Sequence, residues 1–256
     1  MTYASQFRWT CAICSDVGCL RERNEDACLA QPERGVWAVA DGMGGHAEGE
    51  YASQRVVQAL SELAPSGTLD EMLEDARAAL GDANRHLVAQ AARWQVRCVG
   101  STVVALLACG RHVGCLWAGD SRLYRYRASE LTQLTHDHSQ VEMLKARGLI
   151  TAEEALHHPA QHMITRAVGA AATLELDQLV AEVSDGDTFL LCSDGLNHEV
   201  SDAAIAGALA GDDCDQVAHS LVQLALDRGG HDNISVVVVR AQTLDGGDKT
   251  LLNPVV

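Results

Sequence analysis

The first part of the chain begins with two apolar segments and continues with two helical patterns. Residues 7–15 and 35–40 predict short strands, and the second strand stops at the turn signal Asp41-Gly42. Apolar residues then recur three or four positions apart, which indicates two successive amphipathic helices. The positions with this period are Ala52, Val56, Leu60 and Leu63 in the first helix, and Leu73, Ala76, Leu80, Leu87 and Ala91 in the second.

The rest of the chain is dominated by paired strands, with helices near its end. Residues 101–109 and 113–118 predict one hairpin, and residues 122–127 and 130–134 predict another. A helical segment at 138–148, a strand at 188–192, helices at 201–209 and 213–227, and a strand at 234–240 follow. Successive hairpins favour antiparallel sheets with helices on their outer faces. The expected fold class is α+β, a layered sandwich and not a parallel doubly wound sheet.

Composition limits the classes of partner. The 256 residues carry a formal charge of −16, from 35 acidic against 19 basic side chains, so binding to nucleic acid is not expected. A phosphate site in such a protein needs its own positive charge, for which bound metal ions are the obvious source. No stretch reaches the ~20 apolar residues of a membrane helix, and residues 1–10 lack the apolar run of a signal peptide. We therefore expect a soluble cytoplasmic protein without membrane insertion.

Nine cysteines are scattered along the chain, an odd number that does not suggest a disulfide scaffold. Cys11 and Cys14 form a CxxC pair, but in an extended segment their side chains point to opposite faces. No second pair completes a zinc site, so we interpret the cysteines as reduced thiols without a redox or zinc function.

Acidic residues stand where apolar strands begin or end. Asp41, Asp120 and Asp194 each follow a strand, Asp232 precedes one, and Glu25 and Asp26 precede another apolar segment. Any one of these is most simply a turn residue. If the strand ends converge, however, the carboxylates repel one another unless protons or cations bind between them. Oxygen ligands select hard ions such as Mg²⁺ or Mn²⁺, and a pair of such ions suits phosphoryl transfer.

These residues lie in a series of motifs that resembles the metal-dependent protein phosphatases of type 2C, in particular the compact bacterial members. The matching segments are RERNEDA (21–27), ADGMGGHAEGEYAS (40–53), GST (100–102), AGDSRLYR (118–125), LTHDHSQVEML (134–144), ITRAVG (164–169), FLLCSDGL (189–196) and GHDNISVVVV (230–239). Each segment alone is weakly specific, whereas the ordered set covers roughly residues 8–240 and is very specific.

The resemblance implies a four-layer α/β/β/α sandwich of two antiparallel sheets with a small flap subdomain. Residues 1–242 are expected to form a single catalytic domain, with the flap at about 136–169. Residues 243–256 are expected to form a flexible carboxyl-terminal tail.

The resemblance also implies a role for each site residue. Asp41 would bridge two tightly bound ions, Mn²⁺ or Mg²⁺, together with the carbonyl of Gly42. The remaining implied roles are metal ligands at Asp194 and Asp232, a water-mediated contact from Glu25 supported by Asp26, a weaker third ion at Asp120, phosphate binding by Arg21, and orientation of the site by Asn233.

Histidines leave two interpretations open. Met43 stands where many eukaryotic members carry His, which makes His46 the candidate for protonating the leaving serine or threonine oxygen. The flap contains His136, His138, His157, His158 and His162. A zinc site is one interpretation of this cluster, and solvated flap histidines are the one we favour, because the spacing fits no closed ligand set.

The function implied is hydrolysis of phosphoserine and phosphothreonine on proteins by a monomeric enzyme that opposes a bacterial Ser/Thr kinase. A phosphatase dedicated to one regulator is an alternative, although such relatives generally lack the flap. An inactive phosphoprotein-binding pseudophosphatase is a second alternative, but Arg21, Asp41, Asp194 and Asp232 are all present. A Cys-dependent phosphatase is disfavoured because no cysteine begins a C-x₅-R loop.

Overall fold

Two antiparallel β-sheets lie face to face, and helices cover the outer face of each, in a computed structural model that describes residues 6–44, 47–155, 158–161 and 163–244. One apolar core fills the space between the sheets, and two others lie between each sheet and its helices. The expected α/β/β/α sandwich is thereby confirmed.

Each sheet is a continuous antiparallel ladder. The first sheet contains, in spatial order, β1 (Phe7–Asp16), β11 (Ile234–Thr243), β10 (Thr188–Cys192), β7 (Arg122–Arg127) and β8 (Glu130–Gln133). The second contains β2 (Asp26–Gln31), β3 (Val36–Met43), β5 (Val103–Cys109), β6 (His112–Ala118) and β9 (Asp177–Glu182), and the short β4 (Gly100–Ser101) pairs with β3.

Helices flank the sheets in two groups. The second sheet is covered by α1 (Ala47–Ser61) and α2 (Leu69–Trp94), and the first by α5 (Asp194–Asn197), α6 (Asp202–Leu209) and α7 (Cys214–Leu226). The segment expected to be a flap contains α3 (Gln140–Ala146) and α4 (Ala152–Ala155). A 3₁₀ turn, Pro32–Arg34, joins β2 to β3. Within the described residues, no helix combines the length and apolarity that crossing a bilayer requires.

Strand β3 is buried on both faces, which explains its uninterrupted apolar sequence. Trp37 and Val39 point into the core between the sheets, whereas Ala38 and Ala40 pack against α1 and α2. The same alternation separates Cys11 from Cys14 on β1: Cys11 packs on the core between the sheets and Cys14 on the core beneath α7. The prediction that this CxxC pair faces opposite ways is confirmed.

Three features of the sheets differ from the sequence prediction. The predicted strand at 101–109 is divided at Thr102, because the Thr102 amide donates to the Asp41 carbonyl at 2.9 Å and its hydroxyl accepts from the Asp41 amide at 2.9 Å. Strand β9 was not predicted, and it forms an exposed edge. Strand β11 continues through Thr243, and residues 245–256 of the predicted tail lie outside the described residues.

Candidate metal centre

The acidic residues singled out in the sequence converge on one cleft of about 750 Å³, where strands of both sheets begin or end. The cleft is lined by Glu25, Asp41, Asp120, Asp194 and Asp232, together with Arg21, Gly42 and Asn233. Asp26 lies opposite Asp41 in the β2–β3 ladder, and its Oδ2 accepts a 2.7 Å hydrogen bond from the Ser193 hydroxyl. Carboxylates from both sheets therefore share one small volume.

Glycine is required beside Asp41 because three segments meet there. The Gly42 amide donates to the Glu25 carbonyl at 3.1 Å. A Cβ at this position would lie 2.0 Å from the Gly49 carbonyl oxygen on α1 and 2.6 Å from the Glu25 carbonyl oxygen. The absence of a side chain lets β3, α1 and the start of β2 approach closely enough to bring Glu25 and Asp41 together.

Asn233 fixes the loop between β1 and β2. Its buried side chain donates to the carbonyls of Val17 and Arg23, each at 2.9 Å, and its Oδ1 accepts from the Glu25 amide at 2.8 Å. Three backbone groups of one loop are thus tied to the residue next to Asp232. This loop carries Arg21 and Glu25, so Asn233 sets where both of these side chains stand.

Arg21 lines the acidic cleft at its solvent-exposed opening, which we call the mouth. Its Nη2 lies 2.7 Å from Asp232 Oδ2, and the side chain is 55% exposed. A guanidinium in this position supplies positive charge beside the carboxylates, and its planar set of donors suits an anion with two or three oxygens.

Burial and mutual repulsion raise the pKa values of three acids at the cleft. Burial, with the nearby charges of Asp194 and Asp232, raises the pKa of Asp26 to about 7, although its bond from Ser193 acts in the opposite direction. Burial, with Asp194 and Asp137 nearby, raises the pKa of Asp120 to about 8. The pKa of Asp41 is raised well above its ordinary value by burial and by the surrounding acids. The charged form of the cluster therefore needs a compensating cation.

The donor set fits a divalent cation. It consists of oxygens, which hard ions such as Mg²⁺ and Mn²⁺ prefer. Within the described part of the chain, Asp26 Oδ1 is buried without a hydrogen-bond partner. An unpaired buried carboxylate oxygen is expected where a cation binds close by. Burial, crowding and ligand chemistry therefore make this cleft a candidate metal centre.

Three residues near the cleft were not singled out by the sequence. Thr102 and Ser193 bond to the backbone or side chain of the acids, and His198 Nδ1 lies 3.4 Å from Asp194 Oδ2. Thr102 is the last residue of the GST segment and Ser193 directly precedes Asp194, so adjacency to the motifs was the available signal. His46, the candidate general acid, lies outside the described residues.

One of the flap histidines differs from the favoured interpretation, whereas His136 is exposed as that interpretation expects. His138 is buried and not solvated, and its Nε2 lies 3.3 Å from Asp177 Oδ2. His136 Nε2 lies 2.9 Å from the same oxygen. His158 instead accepts from the Ala160 amide, and His157 and His162 lie outside the described residues. The sequence could not show the partner, because Asp177 belongs to the unpredicted strand β9.

Comparisons with known proteins agree on a single family. The sequence profile described as Protein phosphatase 2C matches residues 21–223. The serine/threonine protein phosphatase PstP of Mycobacterium tuberculosis is 41% identical over 234 residues, which cover 91% of this chain but only 45% of that protein. This chain therefore spans about half the length of that relative.

Solved structures share the fold over nearly their whole length. PppA of Pseudomonas aeruginosa, described as a key regulatory component of T6SS, superposes with a TM-score of 0.86 at 42% identity, covering 91% of this chain and 97% of that one. The PstP catalytic domain in complex with two manganese ions superposes with a TM-score of 0.83 at 40% identity, covering 92% and 99%.

Proposed function

This chain belongs to the protein phosphatase 2C family, and we propose that it is a metal-dependent phosphatase that hydrolyses phosphoserine and phosphothreonine on proteins. The observation that carries the proposal is the convergence of Asp41, Asp194 and Asp232 on one cleft with an arginine at its mouth. Oxygen ligands alone would suit many magnesium sites, whereas the added arginine suits an anionic substrate.

Two Mn²⁺ or Mg²⁺ ions would be held by Asp41, the Gly42 carbonyl, Asp194 and Asp232, with Glu25 in support. Asp120, which lines the same cleft and is buried, would hold a weaker third ion together with Asp194. When bound, such ions acidify water, which becomes a nucleophile at neutral pH, and offset the charge of the phosphoryl group. The manganese complex of the similar PstP domain supports this choice of metal.

Arg21 would bind the phosphate oxygens. The protein as a whole is strongly acidic and repels anions at long range, so the local guanidinium is needed to hold a phosphorylated side chain in the cleft. The loop bonds of Asn233 would keep Arg21 at the mouth. His46 remains the candidate for returning a proton to the leaving serine or threonine oxygen.

The substrates would be proteins phosphorylated by a Ser/Thr kinase, which would be the partner of this enzyme in signalling. The similarity to PstP, a protein named as a serine/threonine phosphatase, supports this class of substrate.

The direct test is hydrolysis of a phosphothreonine peptide by metal-depleted protein before and after addition of Mn²⁺. Activity that appears with Mn²⁺ and disappears with a chelator is the expected result. Asp70→Asn is a matched control, since Asp70 is an exposed acid on α2, remote from the cleft. A wild-type protein that binds Mn²⁺ and retains phosphopeptide without cleaving it would identify a binding protein and overturn the proposal.

A further inference from the structure

His138 makes two hydrogen bonds to one residue of the cleft. The His138 amide donates to the Gly119 carbonyl at 2.9 Å, and the Gly119 amide donates to His138 Nδ1 at 3.2 Å. Both polar groups of the Gly119 backbone are therefore bonded to the same histidine. Gly119 directly precedes Asp120, so His138 bonds to the peptide that carries this carboxylate into the cleft.

The Gly119 backbone has a conformation that needs such support. Its φ is +112°, and a Cβ there would lie 2.6 Å from Thr102 Cγ2, so glycine alone fits. Glycine also has the greatest backbone freedom of any residue, so bonds to its peptide groups reduce the number of conformations open to the chain here. The pair of bonds from His138 restricts that freedom at the residue before Asp120.

The hydrogen bonds also fix which nitrogen of His138 carries the proton. The Gly119 N–H can donate only to a nitrogen with a free lone pair, so Nδ1 is unprotonated and Nε2 carries the hydrogen. Nε2 points to Asp177 Oδ2 at 3.3 Å, and the ring is stacked on Trp117 with an interplanar angle of 9°. Arg166 Nη1 holds the other oxygen of Asp177 at 2.6 Å. Burial lowers the pKa of His138 and thereby favours this neutral form.

A metal site is the competing explanation for these residues. His136, His138 and Asp177 offer three ligand atoms within 4.8 Å of one another. Neutral imidazole, however, has one free lone pair, and His138 already gives it to Gly119. A cation at Nε2 would therefore require the Gly119 bond to break, and it would also face the guanidinium of Arg166.

We propose that His138 is a positioning residue: held in its Nε2–H form by Asp177, it fixes the Gly119 peptide and thereby the approach of Asp120 to the metal centre. The inference rests on the proposed function for the role of Asp120. It gives His138 of the THDHS segment a function at Gly119 of the AGDSR segment, 19 residues earlier in the chain.

Four variants test this positioning. His138→Phe keeps a ring against Trp117 but loses the acceptor, whereas His138→Asn keeps an acceptor oxygen near the place of Nδ1. His136→Gln is the matched control, because His136 contacts Asp177 but not Gly119. Asp120→Ala is the benchmark for loss of the weakly bound ion.

Hydrogen exchange and metal titration give readouts that do not depend on catalysis. In the metal-free protein, His138→Phe should speed exchange of the Gly119 amide about tenfold, the worth of one hydrogen bond. It should weaken the lowest-affinity Mn²⁺ site about 10- to 100-fold, as loss of an outer-shell partner does, with no further effect in the Asp120→Ala background. His138→Asn and His136→Gln should stay near wild type in both measurements.

Several results would overturn the proposal. Unchanged Gly119 exchange in His138→Phe would refute the positioning bond, and equal damage in His138→Asn would show that ring packing matters instead. Zn²⁺ binding lost in both His136→Gln and His138→Asn would identify a metal site. If His138→Phe does not fold, Asp177→Ala should show faster Gly119 exchange, and no change there would equally refute the proposal. Failure of the wild type to cleave phosphopeptides would remove the proposed function while leaving the exchange result interpretable.

Discussion

At the scale of single residues, three acids at the cleft are each bonded to a short polar side chain from a distant part of the sequence. Thr102 bonds to the Asp41 amide, Ser193 to the Asp26 carboxylate, and Asn233 to the Glu25 amide. These bonds restrict where the carboxylates can stand before any cation binds. In the proposed function, the acids are therefore positioned before any ion binds, and cation binding would relieve their mutual repulsion.

Asp194→Asn removes one negative charge from the proposed ligand set while keeping the size of the side chain. Loss of a residue that only supports a metal ligand lowers activity by up to about 100-fold. Loss of a ligand itself should cost more, so we expect turnover of a phosphothreonine peptide to fall by more than about 100-fold. Steady-state kinetics at saturating Mn²⁺ measures this loss. Asp70→Asn should retain wild-type turnover, and an active Asp194→Asn enzyme would show that Asp194 is not a required ligand.

Arg21→Ala should act on substrate binding more than on turnover. A hydrogen bond to a charged group is worth about 1.5–3 kcal/mol, so KM for a phosphopeptide should rise about 10-fold or more. Arg23→Ala is the matched control, because Arg23 lines the same cleft but forms no ion pair among the described residues. An unchanged KM in Arg21→Ala would refute the phosphate-binding role.

The acids could be predicted from the sequence, whereas the residues that hold them could not. An aspartate directly after an apolar strand is a local signal, visible at Asp41 and Asp194. The bond between Thr102 and Asp41 joins residues 61 positions apart, and that between Asp26 and Ser193 joins residues 167 apart. Ser and Thr are common in loops, so the presence of either residue does not indicate which distant residue it bonds to.

At the scale of elements, helix α2 holds the point where the flap segment returns to the second sheet. The buried Asn84 accepts from the Gly169 amide at 2.6 Å and donates to the Ala171 carbonyl at 3.0 Å. Gly169 also pairs closely with the backbone of Val99, since a Cβ there would lie 2.2 Å from the Val99 carbonyl oxygen. The carboxyl-terminal end of the flap segment is thus held in place, although much of that segment is neither helix nor strand.

Asn84→Ala should destabilise the protein without touching the cleft. It removes the side-chain bonds of Asn84 and leaves the buried Gly169 amide unpaired, at a cost of about 1–3 kcal/mol in the free energy of unfolding. Urea unfolding measures the change. The exposed neighbour Arg85→Ala should shift stability by no more than about 0.5 kcal/mol. Equal stability of the two variants would contradict the anchoring role of Asn84.

Strand periodicity explains which elements could be predicted. Strand β3 is buried on both faces, and its continuous apolar sequence was recognisable. Strand β9 is an edge strand whose exposed positions alternate with half-buried ones, so Asp177, Gln178 and Glu182 interrupt its pattern. Segment 177–182 is a strand because it pairs with β6, and a pairing between segments distant in sequence is not visible in the local pattern.

At the scale of the whole molecule, 35 acidic side chains coexist with a cluster of buried carboxylates. The pKa values of Asp26 and Asp120 are raised to about 7 and about 8. Protons bound to these carboxylates therefore reduce the negative charge of the cluster when no cation is bound. A raised carboxyl pKa stabilises the fold at low pH, and that contribution is lost as pH rises through the folded-state value. Metal binding must therefore displace protons.

The melting temperature of the metal-free protein should fall between pH 6.5 and pH 8.5. The fall should exceed about 2–4 °C, the shift that 1 kcal/mol produces in a domain of this size. Asp26→Asn should lessen the fall, because one titrating carboxyl is removed. Mg²⁺ should raise the melting temperature more at pH 8.5 than at pH 6.5, and calorimetry that shows the reverse order would contradict the proton-displacement account.

The location of bound metal tests the central claim most directly. Crystals soaked in Mn²⁺ and measured at the manganese absorption edge reveal each ion by its anomalous scattering. We predict two strong peaks in the cleft among Asp41, Asp194 and Asp232, and their loss or weakening in Asp194→Asn. A cleft without a peak, or manganese found only beside His136 and Asp177, would contradict the binuclear centre and the phosphatase mechanism built on it.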